Sequence, residues 1–181
     1  MADEMGLFDV MYNCRAMRRL DTTEVPEDLL VKLIDAANQA PSGSNMQNGR
    51  WIVARDPEVK KGLAELNREG VEAYIGPQID NPGSLSHQSE ARRKRMLDAV
   101  IWQMEHLHEI PALILACLEF GQKVSDEAAQ RGGGSIWPGV QNLLLAARHW
   151  GWAQRRRRWR YASRTRFGKW SICRRRWRRC A

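Results

Sequence analysis

Hydrophobic positions recur along the first 150 residues at two spacings, and each spacing predicts a kind of element. Leu7, Val10, Met11 and Cys14 fall at helical intervals, so Leu7 to Met17 is expected to be a helix closed by Arg15, Arg18 and Arg19. After a connector, Leu20 to Val25, the segment opened by Pro26-Glu-Asp places Leu29, Leu30, Leu33, Ile34 and Ala37 on one helical face. Ala40-Pro41 stops that helix, and Ser42-Gly-Ser-Asn45 reads as a small polar loop. Arg50 to Arg55, with β-favouring Trp51, Ile52 and Val53, is expected to be a strand that Asp56-Pro57 ends. Glu58 to Tyr74 and Ser89 to Leu107 are expected to be helices. Between them, Gly76 to His87 carries Pro, Gly and Ser and reads as a loop or lid. Pro111 to Phe120 is apolar enough to be a strand buried on both faces. Gly132-Gly-Gly134 then opens a last helix, Trp137 to His149.

The chain of 181 residues is long enough for one domain with a core and too short for two. Its 43% hydrophobic content excludes wholesale disorder. The longest apolar run, Ile110 to Leu118, is only core-sized, and acids begin at Asp3, so neither a membrane span nor a secretory signal is expected. The expected location is the cytoplasm.

The net charge of +8 suggests a nucleic-acid or membrane partner until it is divided along the chain. Residues 1–148 are mildly acidic, with 16 Lys and Arg against 21 Asp and Glu. Residues 149–181 carry 12 Arg, one Lys, five Trp and no acid. The basic character therefore belongs to the tail. Arg92-Arg-Lys-Arg95 is flanked by Glu90 and Asp98 and reads as a solvated helix face. No CxxC pair exists and His87, His106 and His108 lack cysteines at zinc-finger spacing, so no metal site or disulfide framework is expected. Cys117, within an apolar run, reads as a buried inert thiol.

Two clusters could carry chemistry. Arg15 and Arg18 are three apart and share a face if the helix persists, and arginines bind phosphate by bidentate, charge-assisted bonds. A solvated basic helix end is the plain alternative. The second cluster is Pro41-Ser-Gly-Ser-Asn-Met-Gln47. Ser42 and Asn45 can aim donors and acceptors at a ligand, and Gly43 lets a planar ring approach the main chain. A plain connecting loop is the alternative there.

Together, Cys14-Arg-Ala-Met-Arg18 and Ala40-Pro-Ser-Gly-Ser-Asn-Met-Gln-Asn-Gly49 resemble the paired motifs of the flavin-dependent nitroreductase family. Trp51-Ile-Val-Ala-Arg-Asp-Pro57 looks like that family's first strand, and Gly134 to Ala147 resembles its long dimer-interface helix. The resemblance implies an α+β fold, a mixed sheet flanked by helices, in a homodimer with FMN between subunits. It implies that Arg15 and Arg18 grip the FMN phosphate, with Ala16 between them. Pro41, Ser42, Gly43 and Asn45 would line the flavin, and Gln47 would support their loop. NADH or NADPH would be the electron donor and a nitroaromatic, quinone or similar small molecule the acceptor. No catalytic acid or base is implied, because the cofactor carries the chemistry. Two positions depart from the family pattern: Ala16 replaces a hydroxyl and Asn48-Gly49 replaces Pro-Trp.

The tail, residues 149–181, does not continue the family pattern. Arginine interleaved with tryptophan would suit single-stranded nucleic acid, which makes a nucleic-acid-binding protein the rival reading; a membrane-surface peptide is a further one. Salt-sensitive oligonucleotide binding that disappears on deleting the tail would favour the rival. A blander origin is a displaced reading frame. Back-translating from Arg148 with permitted codons, each started one base earlier, yields Ala-Leu-Gly-Leu-Gly-Ala-Ala-Pro-Thr-Thr-Leu-Ala-Leu-Arg-Phe-Glu-Asn-Glu-Val-Arg-Lys-Val-Val-Asp-Leu-Pro. That string has the glycine-rich helix end, loop, strand-like run and amphipathic helix expected next. The tail is therefore read as aberrant, with the C-terminal strand of the domain missing.

Overall fold

A computed structural model describes residues 5–80, 88–121, 125 and 133–152. The tail beyond residue 152 and most of the expected 76–87 loop lie outside the described residues, and no helix among those described is long and apolar enough to cross a membrane.

Five helices and two strands order the described chain: α1 (Leu7–Asn13), α2 (Glu27–Asn38), β1 (Gly49–Ala54), α3 (Pro57–Asp80), α4 (Glu90–His106), β2 (Leu113–Leu118) and α5 (Trp137–His149). Short 3₁₀ turns at Gly43–Asn45, Leu107–Glu109 and Gly133–Ile136 punctuate them. The strands pair antiparallel, with Gly49 opposite Leu118 and Ala54 opposite Leu113, although α3 and α4 separate them in sequence. Helices packed around this sheet make the α+β architecture that the motifs implied.

Two cores hold the elements. Leu29, Leu33 and Ala37 of α2 meet Leu143 and Ala147 of α5, joined by Trp51 and Ile114 from one face of the sheet. Ile75 of α3 meets Leu97 and Val100 of α4. Helices α2 and α5 approach closely because the contact position on α5 has no side chain. A Cβ on Gly139 would lie 2.9 Å from the Ala37 carbonyl oxygen and 3.2 Å from the Trp51 ring. Backbone cannot yield as a flexible side chain can, so Gly139→Ala is expected to destabilise the fold by roughly 1–3 kcal/mol. Chemical denaturation checks this; an unchanged midpoint would show that the helices separate freely.

Local chemistry explains other boundaries. Asp56 caps α3, its Oδ1 accepting from the amides of Glu58 and Val59 at 3.0 Å, and Pro57 fills the first helical position. Lys60 is buried, yet its Nζ donates to the Ile110 carbonyl at 2.9 Å and pins α3 beside the approach to β2. The Trp51 indole donates to Asn38 Oδ1 at 2.9 Å, fixing β1 against the end of α2.

Four expectations are corrected. The first helix stops at Asn13, since Cys14 turns extended (ψ 116°), so Arg15 and Arg18 follow a helix rather than share its face. Helix α3 runs on past Tyr74 and through Pro77 to Asp80, held by burial of Ile75 and by Gln78, whose Oε1 accepts from Arg93. Strand β2 is half-buried rather than enclosed on both faces, as is Cys117 within it. The described sheet has only two strands, and Ile52 on its second face is 37% exposed. Arg92, Lys94 and Arg95 are solvated as expected, but Arg93 turns inward and is buried.

Candidate functional site

The loop between α2 and β1 is bent in an unusual way. Ser44, Asn45 and Gln47 all occupy left-handed backbone, with φ of 52°, 53° and 47°. Such conformations cost a non-glycine residue about 1–2 kcal/mol each, less for asparagine, so the surrounding bonds must hold them. Ser42 Oγ accepts from the Gln47 amide at 3.0 Å, and Asn45 Oδ1 accepts from the Gln47 side chain at 3.0 Å. Across the chain, the Gly43 amide donates to Ser135 Oγ at 2.8 Å. A Cβ on Gly43 would sit 3.3 Å from that oxygen, so the residue type permits the contact.

This loop borders a cavity of about 330 Å³, with Pro41, Ser42 and Gln47 on one side and Ser135, Ile136 and Gly139 on the other. Arg50 stands at its rim and pairs with Glu119 at 2.8 Å. Gly43 and Asn45 are exposed and do not border the cavity. Ser135 was not singled out from the sequence, although a serine between a glycine run and a helix start is a recognisable signal.

The basic segment lies elsewhere. Helices α1 and α5 run antiparallel: His149 Nδ1 bonds the Met5 carbonyl at 3.0 Å, and Cys14 Sγ lies 4.0 Å from the Leu144 carbonyl. The head of the segment thus lies beside Leu144 of α5, whereas the Ser42 loop touches Ser135 in the 3₁₀ turn that precedes that helix. Arg15, Ala16 and Arg18 do not border the cavity. In one chain, therefore, the two motifs do not both border this cavity.

The arginines are nonetheless free to bind an anion. Arg15 Nη1 donates to the Cys14 carbonyl (3.0 Å) and Arg18 Nη1 to the Ala16 carbonyl (3.3 Å). No ion pair among the described residues involves either guanidinium. Arg18 Nε is buried without a partner, an orphaned donor that a phosphate oxygen would satisfy. Asp21, the nearest acid in sequence, is engaged by Thr23. That hydroxyl first, then the Thr23 and Thr22 amides, holds its carboxyl below the usual carboxylate range.

An iodotyrosine deiodinase of Thermotoga neapolitana is 26% identical over 142 residues, covering 77% of this chain and 67% of its own length. An NADH dehydrogenase of Thermus thermophilus is 45% identical over 51 residues, 28% of this chain and 25% of its own. The chain thus spans about two thirds of the first relative and a quarter of the second. A crystal structure of oxidized iodotyrosine deiodinase bound to FMN and 3-iodo-L-tyrosine superimposes with a TM-score of 0.56 at 26% identity, over 81% of this chain and 71% of that one. The model of the Nitroreductase family matches residues 13–154, from the basic segment through the Ser42 loop to the end of α5. The chain belongs to the Nitroreductase family.

Proposed function

We propose that the protein is an FMN-dependent oxidoreductase that takes electrons from NADH or NADPH and reduces a nitroaromatic, quinone or similar organic acceptor in the cytoplasm. The observation that carries this reading is the pair of arginines without acidic partners among the described residues, one with a buried donor left unsatisfied. Arg15 and Arg18 hold the phosphate. Ser42, Gly43 and Asn45 line the flavin, Ser42 with its hydroxyl and Asn45 with its carboxamide, while the Gly43 amide holds Ser135; Pro41 and Gln47 fix their loop. When bound, FMN supplies the hydride chemistry, so the chain needs to bind, orient and shield rather than transfer protons itself.

The reading includes a homodimer with FMN between the subunits. Two features support it. The basic segment and the Ser42 loop do not both border the cavity in one chain, so a second copy would complete a shared site. Beside the basic segment, α1 also presents Leu7, Phe8, Met11 and Tyr12 to solvent, with Phe8 68% and Tyr12 72% exposed. Clustered apolar exposure of this kind marks a contact surface. Phe8→Glu is expected to shift the protein from dimer to monomer in sedimentation velocity at micromolar concentration; a monomeric parent would refute the dimer.

Residues 1–148 form the functional domain in this reading, and residues 149–181 are its continuation displaced by one base. The family match, which ends at residue 154, covers little of that tail.

A visible spectrum is the direct test. The purified chain is expected to be yellow, with flavin absorbance that NADPH or NADH bleaches without air and that a nitroaromatic or quinone restores. The acceptor panel includes 3-iodo-L-tyrosine, the ligand in the superimposed deiodinase structure. A colourless protein that takes up no added FMN would overturn the assignment.

A further inference from the structure

The basic segment between α1 and α2 has no regular structure of its own from Cys14 to Val25, yet phosphate recognition requires its guanidinium groups to be held in place. Cys14 ties its start to α5. Its middle is tied by Arg19, whose guanidinium carbon lies 5.7 Å from the centroid of the Trp102 ring on α4. Trp102 is itself fixed. The His106 imidazole stacks on it with centroids 4.1 Å apart and planes 8° from parallel. His106 Nδ1 lies 2.7 Å from the Trp102 carbonyl, which can only accept, so that nitrogen carries the hydrogen and locks the imidazole over the indole. A cation on a braced aromatic face forms a definite contact in an otherwise irregular segment.

We infer that the stacked Trp102–His106 pair is a positioning clamp: by holding Arg19 it sets Arg15 and Arg18 in register for the phosphate, and so gives the chain its preference for FMN over riboflavin. The inference rests on the reading that Arg15 and Arg18 hold that phosphate. Trp102 touches no reacting group. It acts through Arg19, four residues beyond Arg15 and next to Arg18.

The two flavins differ only in the phosphate, so their affinity ratio isolates the clamp from general effects on the fold. FMN and riboflavin are titrated separately into the full chain and its variants, with flavin fluorescence as the readout. The parent is expected to prefer FMN. Trp102→Leu and Arg19→Gln are each expected to cut that preference about three- to tenfold, the scale of one cation–π contact, with riboflavin affinity unchanged. Trp102→Phe, which keeps an aromatic face, is expected to restore most of it. Arg19 is exposed, so Arg19→Gln tests the clamp even if the indole is needed for folding. A parental preference kept in both variants overturns the clamp alone, as does equal weakening of both flavins. A parent that does not distinguish the two flavins overturns the phosphate reading and the clamp with it.

Discussion

Replacing Arg15 and Arg18 together by glutamine is expected to weaken FMN binding by about 10²-fold or more while leaving riboflavin binding nearly unchanged. A hydrogen bond to a charged group contributes about 1.5–3 kcal/mol, so losing two guanidinium contacts removes roughly 3–6 kcal/mol. Arg15 is exposed and its share is screened, which places the effect near the lower end of that range. Arg18 is half-buried and is expected to contribute more than Arg15. Its single replacement also removes the orphaned Nε, so thermal stability without flavin is expected to hold or rise slightly. Equilibrium titration of both flavins, with thermal unfolding of the apo-proteins, checks the pattern. A double variant that binds FMN as the parent does would place the phosphate elsewhere.

Shifting the coding frame back by one base after codon 148 is expected to raise the melting temperature by roughly 10 °C or more. The displaced reading contains Leu, Phe and Val at positions suited to a strand and an amphipathic helix, and each such side chain buried contributes about 1.5–3 kcal/mol. For a chain of this size each kcal/mol corresponds to roughly 2–4 °C. The described sheet gives the added segment something to join, since only two strands are paired in it and its second face is partly open. Sequencing the coding DNA and transcript around Arg148 tests the origin of the tail. An unshifted frame there, with no gain in stability in the frame-shifted protein, would restore the Arg/Trp segment as a genuine module.

Much of the fold was legible because it depends on local periodicity. The apolar face of α2 places Leu29, Leu30, Leu33 and Ala37 inside as its spacing required. Both strands lie close to their expected bounds, and α5 begins and ends at the expected residues. Long-range effects were not legible. Nothing near Tyr74 announces that α3 continues through a proline; the reason is Ile75 packing on Leu97 and Val100 of α4, more than twenty positions away. Nothing within the run Leu7 to Met17 shows that Cys14 turns extended, since its apolar spacing continues past the real end.

The candidate site was legible as two motifs and illegible as an arrangement. Composition and spacing singled out Arg15, Arg18 and the Ser42 loop, but what each packs against depends on tertiary contacts that no local pattern encodes. The Ser135 hydroxyl and the Trp102–His106 stack belong to the same category. Each is an ordinary residue made significant by what folds against it.

The left-handed bends at Ser44, Asn45 and Gln47 are braced by bonds within the chain itself. Their conformational cost falls on folding, and hydrogen bonds from Ser42 and across to Ser135 maintain them. A wall braced in this way resists being reshaped by whatever meets it.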